Sequence, residues 1–228
     1  MPISLESSRV VPKEKLLQLS SVAVFLITLT SYIILAQISA LLSNPITNDD
    51  TFWPGAGLSL ALLLMLPNRQ WIWVILAIAI GEYISNFSAN APFAANIFWI
   101  GANCIEPLIG AFLIRRSGNV NGALAPQGNM FRFLAYGVIV APFVGACIGS
   151  IGNYPIFGAP FWDSWPKWFI SDSLGVLVVA PMFLARIKLS SPVAWPKEQI
   201  IFAVTLFIST LLILRNWSSF LDLVLPYL

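Results

Sequence analysis

The sequence predicts an all-α, polytopic transmembrane helix bundle of about seven spans, on three observations. Hydrophobic residues make up 58% of the chain and charged residues only 10%, whereas a soluble domain carries roughly 25% charged residues to wet its surface. Apolar runs recur at or near the roughly 20 residues that a helix needs to cross a bilayer. Lysine and arginine fall in the breaks or at the ends of those runs, concentrated at alternate breaks and so on one side.

The first run, 16–42, is longer than the roughly 7–15 apolar residues of a signal-peptide core, and no small-residue cleavage site follows it. It reads as a retained first span, preceded by a cytoplasmic segment, 1–15. The second run, 52–66, is short, and Trp53-Pro54-Gly55 at its start suggests a half-buried entry supported by its neighbours. Runs at 71–90, 93–114, 131–152, 165–187 and 198–214 complete the seven. A polar break from Asn216 to Ser219 follows, and the stretch from Phe220 to Leu228 reads as the opening turns of a further span.

Orientation follows from the positive-inside rule. With the N-terminus inside, Arg9, Lys13, Lys15, Arg69, Arg115, Arg116, Arg132, Arg186, Lys188 and Lys197 lie on the inner side, and only Lys167 and Arg215 on the outer. Trp71 and Trp73 open the third span, and Trp162, Trp165 and Trp168 flank an outer loop, where amphipathic rings prefer to sit. The loop 153–166 is too apolar for a plain solvated connection and is expected to fold back over the outer face or dip into it. The inner loop 117–129 is rich in Gly and Asn and reads as flexible. Ala-Pro-Phe recurs at 91–93, 141–143 and 159–161 with nothing similar around the copies, which marks helix boundaries rather than a repeat.

Several chemistries are excluded. There is no histidine, which removes the commonest general base, the commonest metal ligand and the phospho-acceptor of a histidine kinase. Cys104 and Cys147 lie inside apolar runs, so packing is expected rather than a disulfide framework or a zinc site. No nucleophile elbow or metal-ligand spacing occurs, and the chain is read as a non-enzyme. Its basic residues form no patch for nucleic acid.

The polar residues inside the spans carry the functional information. An ionised carboxylate near the bilayer centre costs at least about 2.5–3.5 kcal/mol, so Glu82, Glu106 and Asp172 each need a reason. Counting helical rise from the inner Arg or Trp of each span puts Glu106 about 13 Å, Glu82 about 16 Å and Asp172 about 21 Å deep. Glu82 and Asn86 are four apart and share a helix face, and Asn103 and Glu106 are three apart, with Asn96 further outward. These stripes are expected to turn toward each other and form a polar cavity among the third, fourth and sixth spans. No lysine or arginine lies deep enough to neutralise them. Two readings fit: neutral carboxyls acting as interhelical glue, or a site for a small polar ligand, proton or cation. Gly101, Gly110, Gly145, Gly149, Gly152 and Gly175 are expected to allow close helix contact, and Pro107, Pro142 and Pro181 to kink their spans.

Three segments together resemble a known family: 52–66, which opens Phe52-Trp53-Pro54-Gly55-Ala56-Gly57, 101–116, which holds Asn103-Cys104-Ile105-Glu106, and 168–181, which holds Asp172-Ser173-Leu174-Gly175. In order and spacing they resemble the membrane-associated sensor domain of the first class, a MASE-type domain, over about residue 16 to the C-terminus. The resemblance implies eight membrane helices, so seven spans would be present of an expected eight, the last cut short. It assigns Trp53, Pro54 and Gly57 to the family's first motif, Asn86 to the end of its third helix, Asn103 and Glu106 to its N-x-x-E, and Asp172 and Gly175 to its D-x-x-G. Glu82 matches no family acid, and its place rests on burial. The implied setting is the bacterial inner membrane, with the N-terminus cytoplasmic. The implied partners are the lipid bilayer, a cytoplasmic histidine kinase or diguanylate cyclase module and a second copy of the chain in a homodimer. The implied role is sensory signal transduction, in two-component or cyclic di-GMP signalling. The sequence names neither stimulus nor cofactor. A small transporter, or the substrate-binding subunit of one, is the alternative, since intramembrane acids on proline-containing helices also serve carriers.

Overall fold

The computed structural model of the chain describes residues 19–43, 52–117 and 127–184, and all regular structure in them is helical. The helices are α1 (Ser21–Leu42), α2 (Pro54–Met65), α3 (Trp71–Ser88), α4 (Phe93–Ser117), α5 (Gln127–Arg132), α6 (Ala141–Phe157) and α7 (Phe161–Leu184). A π-helical segment, Phe133–Val140, joins α5 to α6, so that 28 residues from Met130 to Phe157 form one continuous apolar rod. This rod, α1, α3 with the 3-10 turn before it, α4 and α7 are each long and apolar enough to cross a membrane. The spans expected at 198–214 and from Phe220, and the segment 1–15, lie outside the described residues.

Local chemistry sets the helix limits. The Ser20 side chain caps α1 by accepting the Ala23 N–H at 3.2 Å. The chain leaves α3 through Asn90 at φ 58°, while the Ala91 N–H returns to the Asn86 carbonyl at 3.0 Å. Asn tolerates this left-handed turn better than most residues. Gly158, at φ 67°, ends α6 the same way. Two of the three Ala-Pro-Phe copies lead directly into α4 and α7, and the third lies where π-helix becomes α-helix.

One expectation is corrected. Residues 153–166 are not a loop folded over one face: α6 runs on to Phe157 and α7 begins at Phe161. Pro155 sits in the last turn of α6 and Pro166 in the second turn of α7, and each helix continues past its proline with one backbone hydrogen bond removed, at the Ile151 and Trp162 carbonyls. The apolar and aromatic residues of this stretch are therefore helix surface.

The short second span is the centre of the bundle. Ten of the twelve residues of α2 are buried, so its neighbours enclose it, and at 1.5 Å per residue it is about 18 Å long. Helix α7 packs along it, with α4 and α1 on its other sides. Two glycines allow the α2–α7 approach. A Cβ on Gly175 would run into the Trp53 carbonyl, and one on Gly57 would run into the Gly175 carbonyl. Helices without a hydrophobic driving force between them associate through such small-residue contacts.

Both ends of α2 lie inside protein, where free backbone groups must find partners. At its start, the Trp53 N–H donates to the Ser171 carbonyl of α7 at 3.1 Å, and the Ser39 hydroxyl of α1 donates to the Phe52 carbonyl at 2.7 Å. Pro54 at the first helical position gives up an N–H that would have had no partner. At its far end, the Arg115 guanidinium of α4 donates to the carbonyls of Leu63, Leu64 and Leu66 at 2.6–3.1 Å, and also to the Asn68 side chain. The Trp71 indole donates to Leu63 as well, at 2.8 Å, beneath the guanidinium stacked on its ring. On sequence grounds Arg115 is only a topology signal; in the structure it is the C-terminal cap of α2.

Gly175→Ala, by forcing a Cβ into the Trp53 carbonyl, is expected to destabilise the protein by about 1–3 kcal/mol, the usual range for overpacking. Gly101→Ala is the control, because its Cβ would stand 4.0 Å from its nearest neighbour on another helix. Thermal melts followed by circular dichroism should separate the two. Equal midpoints would mean that α2 and α7 are not in backbone contact.

Candidate functional site

Of the four carboxyl groups in the described spans, Asp163 is exposed in the first turn of α7 and three are buried: Glu82 at 4% exposure, Glu106 at 2% and Asp172 at 1%. They occupy two different settings. Glu82 belongs to an α1–α3 cluster, where the Tyr32 hydroxyl donates to its Oε2 at 2.7 Å and the Asn86 amide donates to its Oε1 at 2.9 Å. The shared face of Glu82 and Asn86 is as the spacing predicts. Tyr32 is not legible as a site residue: it lies 50 positions away in an apolar run, and its only signal is a phenol at the middle of a span, where a hydroxyl needs a partner.

Glu106 and Asp172 meet each other. Helices α4 and α7 make few direct contacts, because both pack against α2 on one side and α6 on the other. Glu106 from α4 and Asp172 from α7 reach into the space between these four helices, and their carboxyl groups stand side by side. Among the described residues neither Glu106 oxygen has a hydrogen-bond donor, and neither does Asp172 Oδ2. Asp172 Oδ1 accepts only the Ser171 hydroxyl, at 3.3 Å. The Trp168 indole lies next to Asp172, one turn earlier on α7, within electrostatic reach of its carboxyl but without closing a well-formed hydrogen bond to it.

The fourth wall is α6, whose Gly145 and Gly149 lie one turn apart on one face. A Cβ on Gly145 would strike the Glu106 carboxyl, and one on Gly149 would strike the Trp168 ring. Two glycines thus make the slot into which α4 and α7 insert a carboxylate and an indole. The first turn of α2 abuts Ser171 and Gly175, on either side of Asp172. The positive end of its dipole therefore lies near the pair, where it favours negative charge.

The other expected site residues divide between these settings and neither. Asn103 is buried on α4 one turn from Glu106. Trp53 packs edge-on against Tyr32, with ring centroids 5.8 Å apart, and so lies between the two clusters. Its indole N–H has no partner among the described residues. Asn96 joins neither group, as its amide turns back to the carbonyls of Ala91 and Pro92 at 3.4–3.5 Å and closes the start of its own helix. Cys104 and Cys147 are free thiols, and no group of three or more His, Cys, Asp or Glu gathers among the described residues.

The resemblance seen in the three motifs is now joined to a fold. The MASE1 family model matches residues 20–228. The chain belongs to the MASE1 family. No curated protein and no solved structure matches it. MASE1 domains are membrane sensory domains, and this one is a multi-pass, all-helical membrane protein. All three motifs of this MASE1 domain converge on one place: Trp53 hydrogen-bonds Ser171, Gly57 seats against Gly175, and Glu106 faces Asp172.

Tyr32→Phe removes a donor from a buried carboxyl, and it is expected to lower stability by about 1–3 kcal/mol. Asn86→Ala should lower it by a similar amount, since each substitution strips one Glu82 oxygen. Chemical unfolding of the purified protein tests this, and wild-type stability in both variants would show that the Glu82 cluster is not a structural tie.

Proposed function

We propose that this MASE1 domain is the sensing half of a bacterial signalling protein, and that the Glu106–Asp172 pair is where the stimulus acts. The observation that carries the reading is the unsatisfied state of the pair. Two carboxyl groups are buried side by side between four helices, and three of their four oxygens have no donor among the described residues. A purely structural carboxyl resembles Glu82, with both oxygens bonded. A buried polar group left without partners is strained unless something else occupies it.

A pair that joins two helices which otherwise scarcely touch is well placed to set their spacing. A stimulus that favours one spacing over the other shifts the population of two packings, by as much as its affinity for them differs. The output is a cytoplasmic histidine kinase or diguanylate cyclase module, and the protein lies in the inner membrane with its N-terminus in the cytoplasm. The orientation is supported by the ten Lys and Arg residues on one side against two on the other.

The test is a fusion of the full chain to a diguanylate cyclase reporter. Glu106→Gln and Asp172→Asn are each expected to move basal output by about 5-fold or more, the usual lower size of an allosteric coupling. Glu82→Gln, outside the pair, should move it less. If both pair variants leave output at the wild-type level, the pair is not the responsive site.

A further inference from the structure

The occupant of the Glu106–Asp172 pair can be narrowed by what the four surrounding helices present to it. From α6 come Gly145 and Gly149, which press directly on the Glu106 carboxyl and the Trp168 ring. That face is closed to a polyatomic ligand. From α2 come Trp53 and Pro54, neither of which titrates. The nearest titratable groups on other elements are Tyr32 on α1, within electrostatic reach of Asp172, and Glu82 on α3, already held by Tyr32 and Asn86. Cys104, on α4 itself, turns its thiol to the Ile75 carbonyl, and Cys147 on α6 receives the Trp165 indole. The basic groups on the same helices are elsewhere: Arg115 is nine residues along α4 on the carbonyls of α2, and Lys167 is an exposed residue five positions before Asp172.

No positive side chain therefore reaches the pair among the described residues. A metal ion would need more oxygen ligands than two carboxylates, and among the described residues no third acidic residue, cysteine or histidine joins them. Two carboxylates held side by side out of water cannot both stay ionised.

We propose that Glu106 and Asp172 form a proton-binding site that holds a single proton between them. An O–H bond forms on one carboxyl and the second carboxylate accepts it, so the pair keeps one negative charge, which the first turn of α2 and the Trp168 indole face. Release of the proton to water leaves two like charges side by side and drives α4 and α7 apart. This deepens the sensory reading and rests on it for the step from proton to output; the presence of the proton is measured on the protein alone.

The full chain, reconstituted in liposomes, is examined by infrared spectroscopy in the carboxylic-acid C=O region, with the Glu or Asp carboxyl carbons isotopically labelled. The expected result at pH 7 is a label-sensitive protonated-carboxyl band equal to one carboxyl, lost as the pH is raised. The band should be absent from the double variant Glu106→Gln/Asp172→Asn and retained in Glu82→Gln. Because the labels assign the band to residue type in the wild type, a variant that fails to fold does not prevent the measurement. Absence of the band at pH 7, a band of two carboxyls at every pH, or its removal by sodium at fixed pH would each overturn the proton site. If reporter output still responds to the pair variants while the band is missing, the sensory reading stands and the proton falls. If the band is present and output ignores both pH and the variants, the proton stands and the sensory reading falls.

Discussion

A twelve-residue helix enclosed in a membrane bundle has backbone ends that neither water nor lipid can satisfy, and the rest of this structure is arranged around that constraint. Helix α2 has a tryptophan rather than a side-chain acceptor at its N-cap and no basic residue in its last turn. Its partners therefore come from four other helices: Ser39 on α1, Trp71 on α3, the Ser171 carbonyl on α7 and Arg115 on α4. Each is a specific contact rather than a general apolar one, so together they fix the position of α2 relative to its neighbours. An arginine is suited to the far end, because its planar fork presents several donors at fixed angles. Here one guanidinium serves the carbonyls of Leu63, Leu64 and Leu66.

With α2 held, the placement of the carboxyl groups follows. The Trp53–Ser171 bond and the Gly57–Gly175 contact lock α7 in one rotation and at one height. Asp172, immediately after Ser171, is then turned to the space beyond α2. Glu106 enters the same space from α4, whose own height is set by Arg115 nine residues away. The carboxyls meet because two independent anchors on α2 bring their helices there, while Gly145 and Gly149 on α6 leave the room they need. Glu82, on a helix that touches α2 much less, has no share in this and is held by Tyr32 instead.

How much of this was legible depended on the range of the interaction. The spans at 16–42, 71–90 and 93–114 follow from hydropathy, and α1, α3 and α4 fall within or close to them. The Asn86–Glu82 hydrogen bond follows from a spacing of four. Burial of Glu106 and Asp172 is also readable, since an acid in an apolar helix must face inward. Their pairing is not readable from spacing, because it depends on α2 and α6 separating α4 from α7. Tyr32 and Arg115 were missed for a related reason: each acts on a residue about 50 positions away, and each has a commonplace local explanation, as an apolar-span aromatic and as an inner-side charge. The stretch 153–166, with its three prolines, reads as a loop, yet Pro155 and Pro166 lie inside helices that continue past them, each with one backbone hydrogen bond removed.

The same geometry places each carboxyl of the pair beside an irregular point in the helical framework. Pro107 follows Glu106 directly and has no N–H to offer the Asn103 carbonyl, so α4 is weakest beside its carboxyl. On α7, Ser173 follows Asp172 and donates to the Val138 carbonyl in the π-helical segment at 2.8 Å. A π-helical segment already departs from the regular ladder of hydrogen bonds. Each carboxyl thus sits next to a point where a helix is irregular, and α4 also carries the cap on the far end of α2. A change in the separation of Glu106 and Asp172 would therefore be taken up at Pro107 and at the π-helical segment, rather than spread evenly along rigid helices. It would reach the Arg115 end of the bundle through α4.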